Sequence, residues 1–167
     1  MTAEREVLFV DGYNVINAWP ELKALPLAHA RDALYEKLVD YTHYRELELV
    51  LVFDAHMQNT PENIEEGAGT VVYTAAGETA DRFIERSVRE CYRQGRTASV
   101  ATSDGLEQVM IMGYARRISA RELIMDIKAA REEYLKEYIS PKAPRRNQLE
   151  GRLCEDHLAA FERMRRE

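Results

Sequence analysis

The sequence predicts an α/β fold, a three-layer α/β/α domain around a central parallel sheet, followed by an amphipathic helix at the C-terminal end. Three observations carry this prediction. The strand-like runs are apolar from end to end, the pattern of strands covered on both faces. Segments with helical spacing lie between them. Acids follow several of the runs, which places polar chemistry along one edge of the sheet.

The elements follow in order. Val7-Leu8-Phe9-Val10 is the first strand, ended by Asp11-Gly12. Leu27, Ala30, Leu34, Leu38 and Tyr41 recur at spacings of three and four, which predicts a helix over residues 27–45. Leu49-Val50-Leu51-Val52-Phe53 is the second strand, ended by Asp54. Gln58, Asn59, Pro61, Asn63 and two glycines mark residues 55–69 as a loop. Thr70-Val71-Val72-Tyr73 is the third strand. Phe83, Ile84, Val88 and Cys91 then form the apolar side of a helix from Thr79 to Gln94. Ala98-Ser99-Val100-Ala101 is the fourth strand, ended by Thr102-Ser103-Asp104, with a short helix over residues 105–112. Arg117-Ile118 forms a very short fifth strand. Ser119-Ala120-Arg121-Glu122 reads as a capping box that opens a helix to Tyr138. Pro141 and Pro144 interrupt the chain, and a last amphipathic helix covers residues 147–165. The expected organisation is a domain over residues 1–139, then a basic linker and C-terminal helix over 140–167 that pack on the same domain.

The 167 residues suffice for one buried core, and 46% apolar with 31% charged residues is an ordinary globular balance. No stretch approaches about 18 apolar residues, so no membrane partner is expected. The N-terminus lacks a basic head followed by an apolar run, so it does not read as a secretory signal. Cys91 and Cys154 have no CxxC or Cys/His spacing and read as buried free thiols, which fits a cytoplasmic location. The net charge of −6 is unevenly spread. Residues 1–114 carry 10 Lys/Arg against 19 Asp/Glu, a balance of −9; residues 115–167 carry 13 against 10, a balance of +3. An acidic centre beside a basic arm suits metal-dependent work on a phosphate backbone.

The aspartates carry the chemistry. Asp11 follows strand one, Asp54 strand two and Asp104 strand four, and Asp81 lies in the first turn of the helix after strand three. In an open parallel sheet, ligands bind beyond the carboxyl ends of the strands, where strand order reverses. With the order 3-2-1-4-5 that point lies between strands one and four. Asp11 and Asp104 then face each other, with Asp81 and Asp54 at the rim. At ~4 Å and an effective dielectric near 20, each pair of carboxylates repels by about 4 kcal/mol. A divalent cation relieves such a cluster, and all-oxygen ligands select the hard ions Mg²⁺ or Mn²⁺. A cation of this kind supports hydrolysis of a phosphodiester.

Each acid taken singly has a simpler explanation. Asp104 with Glu107 fits a helix cap. Acids in a first turn, such as Asp81, are favoured by the helix dipole. Asp54 could just end a strand. Asp11 is harder to explain this way, because Asp-Gly-Tyr-Asn starts no long helix. Other chemistries find less support. There is no GxGxxG after strand one and no GxxxxGK[ST]. Tyr13 stands where an aspartyl phosphatase commonly has a second Asp. His29, His43, His56 and His157 show no paired ligand spacing, although His56 is near Asp54, and Ser103 has no evident base.

At these residues the chain resembles a known family. Val10-Asp11-Gly12-Tyr13-Asn14-Val15-Ile16 is similar to the opening motif of NYN-domain ribonucleases, within the PIN-like nuclease fold. Three further blocks resemble the bacterial YacP-like branch in order and spacing: Val52-Phe53-Asp54-Ala55; Gly77-Glu78-Thr79-Ala80-Asp81 with Ile84-Glu85; and Ala101-Thr102-Ser103-Asp104 with Glu107-Gln108. The stretch from Gly113 to Leu123 also looks like that branch. The resemblance implies a PIN-like fold and divalent-metal cleavage of RNA, with Asp11, Asp81 and Asp104 as the principal acids of the metal site. It implies that Asn14 orients an acid or touches the scissile phosphate, with Asp54 as a fourth carboxylate. It also implies mRNA as a partner and, by similarity to a ribosome-associated member, action on the ribosome.

Basic residues supply expected contacts with RNA. Arg82, Arg86, Arg89 and Arg93 share one helical face that begins beside Asp81, although Glu85 and Glu90 could make it a solvated face. Lys142, Arg145 and Arg146 form a basic spur between and after the prolines. Trp19-Pro20 could stack on a base or anchor the core. The leading expectation is a hydrolytic endoribonuclease. A catalytically silent RNA- or ribosome-binding adaptor of the same fold, and a small-molecule phosphohydrolase, are the alternatives.

Overall fold

The computed structural model of the chain describes residues 4–54, 63–66, 69–102 and 113–139. Its centre is a sheet of strands β1 (Val7–Asp11), β2 (Glu48–Phe53), β3 (Asn63–Glu66), β4 (Gly69–Tyr73), β5 (Ala98–Thr102) and β6 (Arg116–Ser119), in the order β3-β4-β2-β1-β5-β6. Every pairing from β4 across to β6 is parallel, and β3 alone pairs antiparallel, with β4. The five parallel strands are those read from the sequence, in the order 3-2-1-4-5. Their apolar runs have a plain cause: all five residues of β1 and of β5 are buried, because helices cover both faces.

The helices are α1 (Gly12–Ala18), α2 (Pro20–Lys23), α3 (Leu27–Arg45), α4 (Ala80–Arg93) and α5 (Ala120–Tyr138). Leu8 and Val10 of β1 pack with Leu34 and Leu38 of α3, Val15 of α1, Leu22 of α2 and Leu123 and Ile127 of α5. Val7 and Phe9 turn the other way, onto Ala80, Ile84, Val88 and Cys91 of α4. Alternation along one strand thus sorts the core into two layers. The capping box of α5 closes as expected. The Ser119 backbone N–H donates to Glu122 Oε2 at 3.0 Å, and the Glu122 N–H donates to Ser119 Oγ at 3.1 Å. The compact unit carrying the sheet ends at Arg131, and the chain from Glu132 belongs to a second unit. No helix among the described residues is long and apolar enough to cross a membrane.

Two stretches depart from expectation. Residues 63–66, read as part of a loop, form β3. Asn-Ile-Glu-Glu has one apolar residue in four, so pairing with β4 makes the strand rather than its own pattern. Residues 12–23 hold two short helices with no long-range period to announce them. The expected helices over 105–112 and 147–165, and the expected linker, lie outside the described residues.

Candidate active site

Asp11 occupies two roles at once. It is the last residue of β1 and the N-cap of α1, with φ −76° and ψ 102°. Its Oδ1 accepts from the Asn14 backbone N–H at 3.5 Å, and its Oδ2 accepts from Asn14 Nδ2 at 2.8 Å. The residue is only 7% exposed. Asp11 therefore caps a helix, although, as expected, Asp-Gly-Tyr-Asn opens only a short one of seven residues. The cap leaves its orientation fixed by Asn14. Gly12 is dictated by packing: a Cβ there would lie 2.2 Å from Cε1 of Phe53. Phe53 in turn stacks on Tyr73 (5.6 Å between centroids) and meets Tyr13 at 5.0 Å, while Arg31 donates to the Tyr13 hydroxyl at 3.3 Å.

The sheet register places the other acids. Asp11 pairs with Val52 on β2, and Asp54 follows two residues on. Their Cα separation is about 8 Å from strand spacing and rise. Val52, Val72 and Val100 face α4, so alternation assigns Asp11, Asp54, Thr74 and Thr102 to that same side. The ladder continues past β2 and β4, since the Thr74 N–H donates to the Phe53 carbonyl at 3.0 Å. Thr74 and Thr102 are buried polar residues that flank this row. Sequence reasoning passed over Thr74 and met Thr102 only as part of a motif block with no role of its own, because threonine is an ordinary strand residue. Asp81 is half-buried in the first turn of α4. It is not the cap, for Thr79 Oγ1 accepts from the Arg82 N–H at 3.3 Å. The chain crosses from β4 over α4 to β5, so the reversal of strand order falls between β1 and β5, at Asp11.

The donor atoms along this edge are all oxygens, the set that hard divalent cations take. Among the described residues, no three His, Cys, Asp or Glu side chains group closely enough to hold a metal ion. The expected convergence includes Asp104, which lies outside the described residues, as do Lys142, Arg145, Arg146, His56 and Ser103.

The arginine face of α4 is present and exposed, but laced with acids. Arg86 pairs with Glu78 at 3.0 Å, Arg89 with Glu85 at 2.7 Å and Arg93 with Glu90 at 3.5 Å. Arg82, also exposed, has no ion pair among the described residues. Trp19 is buried at the α1–α2 junction, so it anchors the core and offers no stacking face. Its indole N–H donates to Glu21, which together with nearby Lys128 holds the Glu21 carboxyl below its usual range. Cys91 is a buried free thiol, and burial pushes its pKa up, away from nucleophilic use.

The chain matches the YacP-like NYN domain over residues 8–166, nearly its whole length. It belongs to that family. A relative from Bacillus subtilis (strain 168), named uncharacterized protein YacP, is 35% identical over 171 residues, covering 96% of this chain and 97% of its own. The crystal structure of Rae1 (YacP) from Bacillus subtilis superposes with a TM-score of 0.68 at 35% identity, over 96% of this chain and 95% of that one. The crystal structure of a mutant of that protein gives the same TM-score of 0.68 at 36% identity, over 83% of this chain and 86% of that one. The YacP-like NYN domain is a PIN-like nuclease fold. Within it, the Asp11–Asn14 pair stands at the strand-order reversal described above.

Proposed function

We propose that this YacP-like NYN protein is a divalent-metal-dependent endoribonuclease that hydrolyses phosphodiester bonds of RNA. The observation that carries the reading is a buried carboxylate, Asp11, oriented by the Asn14 amide at the strand-order reversal of a PIN-like sheet. Asp11, Asp81 and Asp104 would hold Mg²⁺ or Mn²⁺, with Asp54 as a fourth acid. When bound, the cation neutralises the acids and polarises the scissile phosphate. Asn14 keeps the Asp11 oxygens aimed through its 2.8 Å bond. Arg82 and Arg86, exposed on the first turns of α4, would bind the RNA backbone next to Asp81, and Lys142, Arg145 and Arg146 would bind RNA as a separate basic segment. By the resemblance of its motifs to the ribosome-associated member of the YacP-like branch, we read mRNA as the substrate and the ribosome as the place of action, in the cytoplasm.

The test is incubation of the purified chain with labelled single-stranded RNA and Mn²⁺, wild type against Asp11→Asn. The expected result is cleavage by the wild type, abolished by chelation and by Asp11→Asn. If free RNA stays intact, the comparison is repeated with ribosomes carrying mRNA. Cleavage that survives Asp11→Asn removes the proposed site. No cleavage in either format overturns the nuclease reading and favours a silent RNA- or ribosome-binding adaptor.

A further inference from the structure

Two tyrosines stand exposed at the far end of α4. Tyr92 is 57% and Tyr114 40% exposed, and their rings meet edge to face with centroids 5.2 Å apart. The Arg89 guanidinium lies over the Tyr114 ring, 5.6 Å from its centroid. Exposed aromatic rings do nothing for the core, and here two of them sit together. The surroundings are basic. Arg93 lies one position beyond Tyr92, and Arg117 follows Tyr114 on β6. The register pairs Arg117 with Val100, which faces α4, so Arg117 belongs to the same side of the sheet. It is exposed and has no ion pair among the described residues. The Arg93–Glu90 pair is long and exposed on both sides, and such ion pairs are weak, so a phosphate can compete for the Arg93 guanidinium.

The geometry points to this patch as a stacking platform for an unpaired RNA segment, with bases on Tyr92, Tyr114 and the Arg89 plane and phosphates on Arg93 and Arg117. Aromatic rings beside arginines are how single strands are gripped without reading sequence. The platform lies eleven residues along α4 from Asp81, about 16 Å at the helical rise. Arg82, Arg86 and Arg89 mark the path between them. The inference rests on RNA as the substrate and adds a second grip, remote from the acids.

The test uses the full chain carrying Asp11→Asn, so that RNA is not cut, and a short fluorescein-labelled single strand read by anisotropy. The same strand without its bases is the second probe. Adding Tyr92→Ala with Tyr114→Ala is expected to weaken binding about tenfold, with the far-ultraviolet circular dichroism unchanged. Tyr92→Phe with Tyr114→Phe keeps the affinity. Removal of the bases weakens the parent and leaves the double alanine variant almost unaffected. Equal affinity of parent and double alanine variant overturns the platform, as does an equal penalty for base removal in both. A parent that binds no RNA overturns it too. Loss of a parent dimer with RNA affinity retained assigns the patch to a second copy of the chain instead. Cleavage by the wild type with binding indifferent to the tyrosines overturns the platform alone. Tyrosine-dependent binding without any cleavage overturns the nuclease reading alone.

Discussion

Gly12 shows how closely the site is tied to the packing beneath it. The chain leaves β1 at Asp11 and must enter α1 at once, directly over the Phe53 ring. A methyl group at Gly12 would fall 2.2 Å from that ring. Phe53 is held between Tyr13 and Tyr73, so it has little room to yield. Gly12→Ala should therefore destabilise the protein by about 1–3 kcal/mol, the usual cost of overpacking. Urea unfolding measures this, and an unchanged midpoint would show that the ring moves freely. Asp11 was legible in the sequence because it ends an apolar run. The importance of Asn14 came from the family motif, and its 2.8 Å bond to Asp11 supplies the physical reason. Thr74 was not legible, and Thr102 only as a member of its motif block, since nothing local separates a threonine beside a site from one in any strand.

Among the elements, those with a long apolar period or a buried run could be read directly. The strands β1, β2, β4 and β5 and the helices α3, α4 and α5 are of this kind, whereas β6 is Arg-Arg-Ile-Ser with no buried run. The helices α1 and α2 and the strand β3 could not, because each is short and carries no apolar period of its own; β3 takes its form from pairing with β4, the next strand along the chain. One contact between elements has a pH consequence. The Tyr41 hydroxyl of α3 donates to Asp126 Oδ2 of α5 at 3.0 Å. Burial first, then the bond to Asp126, push the Tyr41 pKa up to about 12 from 10.0. The folded state thus holds this proton more tightly than the unfolded chain does. The resulting stability is fully present below pH 10 and is lost as pH rises through about 12. Thermal melts should show the wild type losing stability across that window more steeply than Tyr41→Phe. Parallel curves for the two proteins would contradict the linkage.

For the whole molecule, a net charge of −6 and an RNA substrate are reconciled by where the charges lie. The acids at the strand ends belong to the proposed cation site. Arginines line the outward face of α4, and Lys142, Arg145 and Arg146 add to the positive balance of residues 115–167. Charge balance was readable from the sequence alone. The lacing of the α4 arginines by Glu85 and Glu90 was readable too, as the alternative to an RNA face, and it holds for Arg89 and Arg93; the reach of Arg86 back to Glu78, eight residues away, was not. The central claim is that Asp11 anchors a divalent cation. Crystals of the protein soaked in Mn²⁺ and measured at the manganese edge test it most directly. The account predicts an anomalous peak within about 2.0–2.6 Å of an Asp11 carboxylate oxygen, absent from Asp11→Asn. Manganese bound only elsewhere, or a peak that persists in Asp11→Asn, would contradict it.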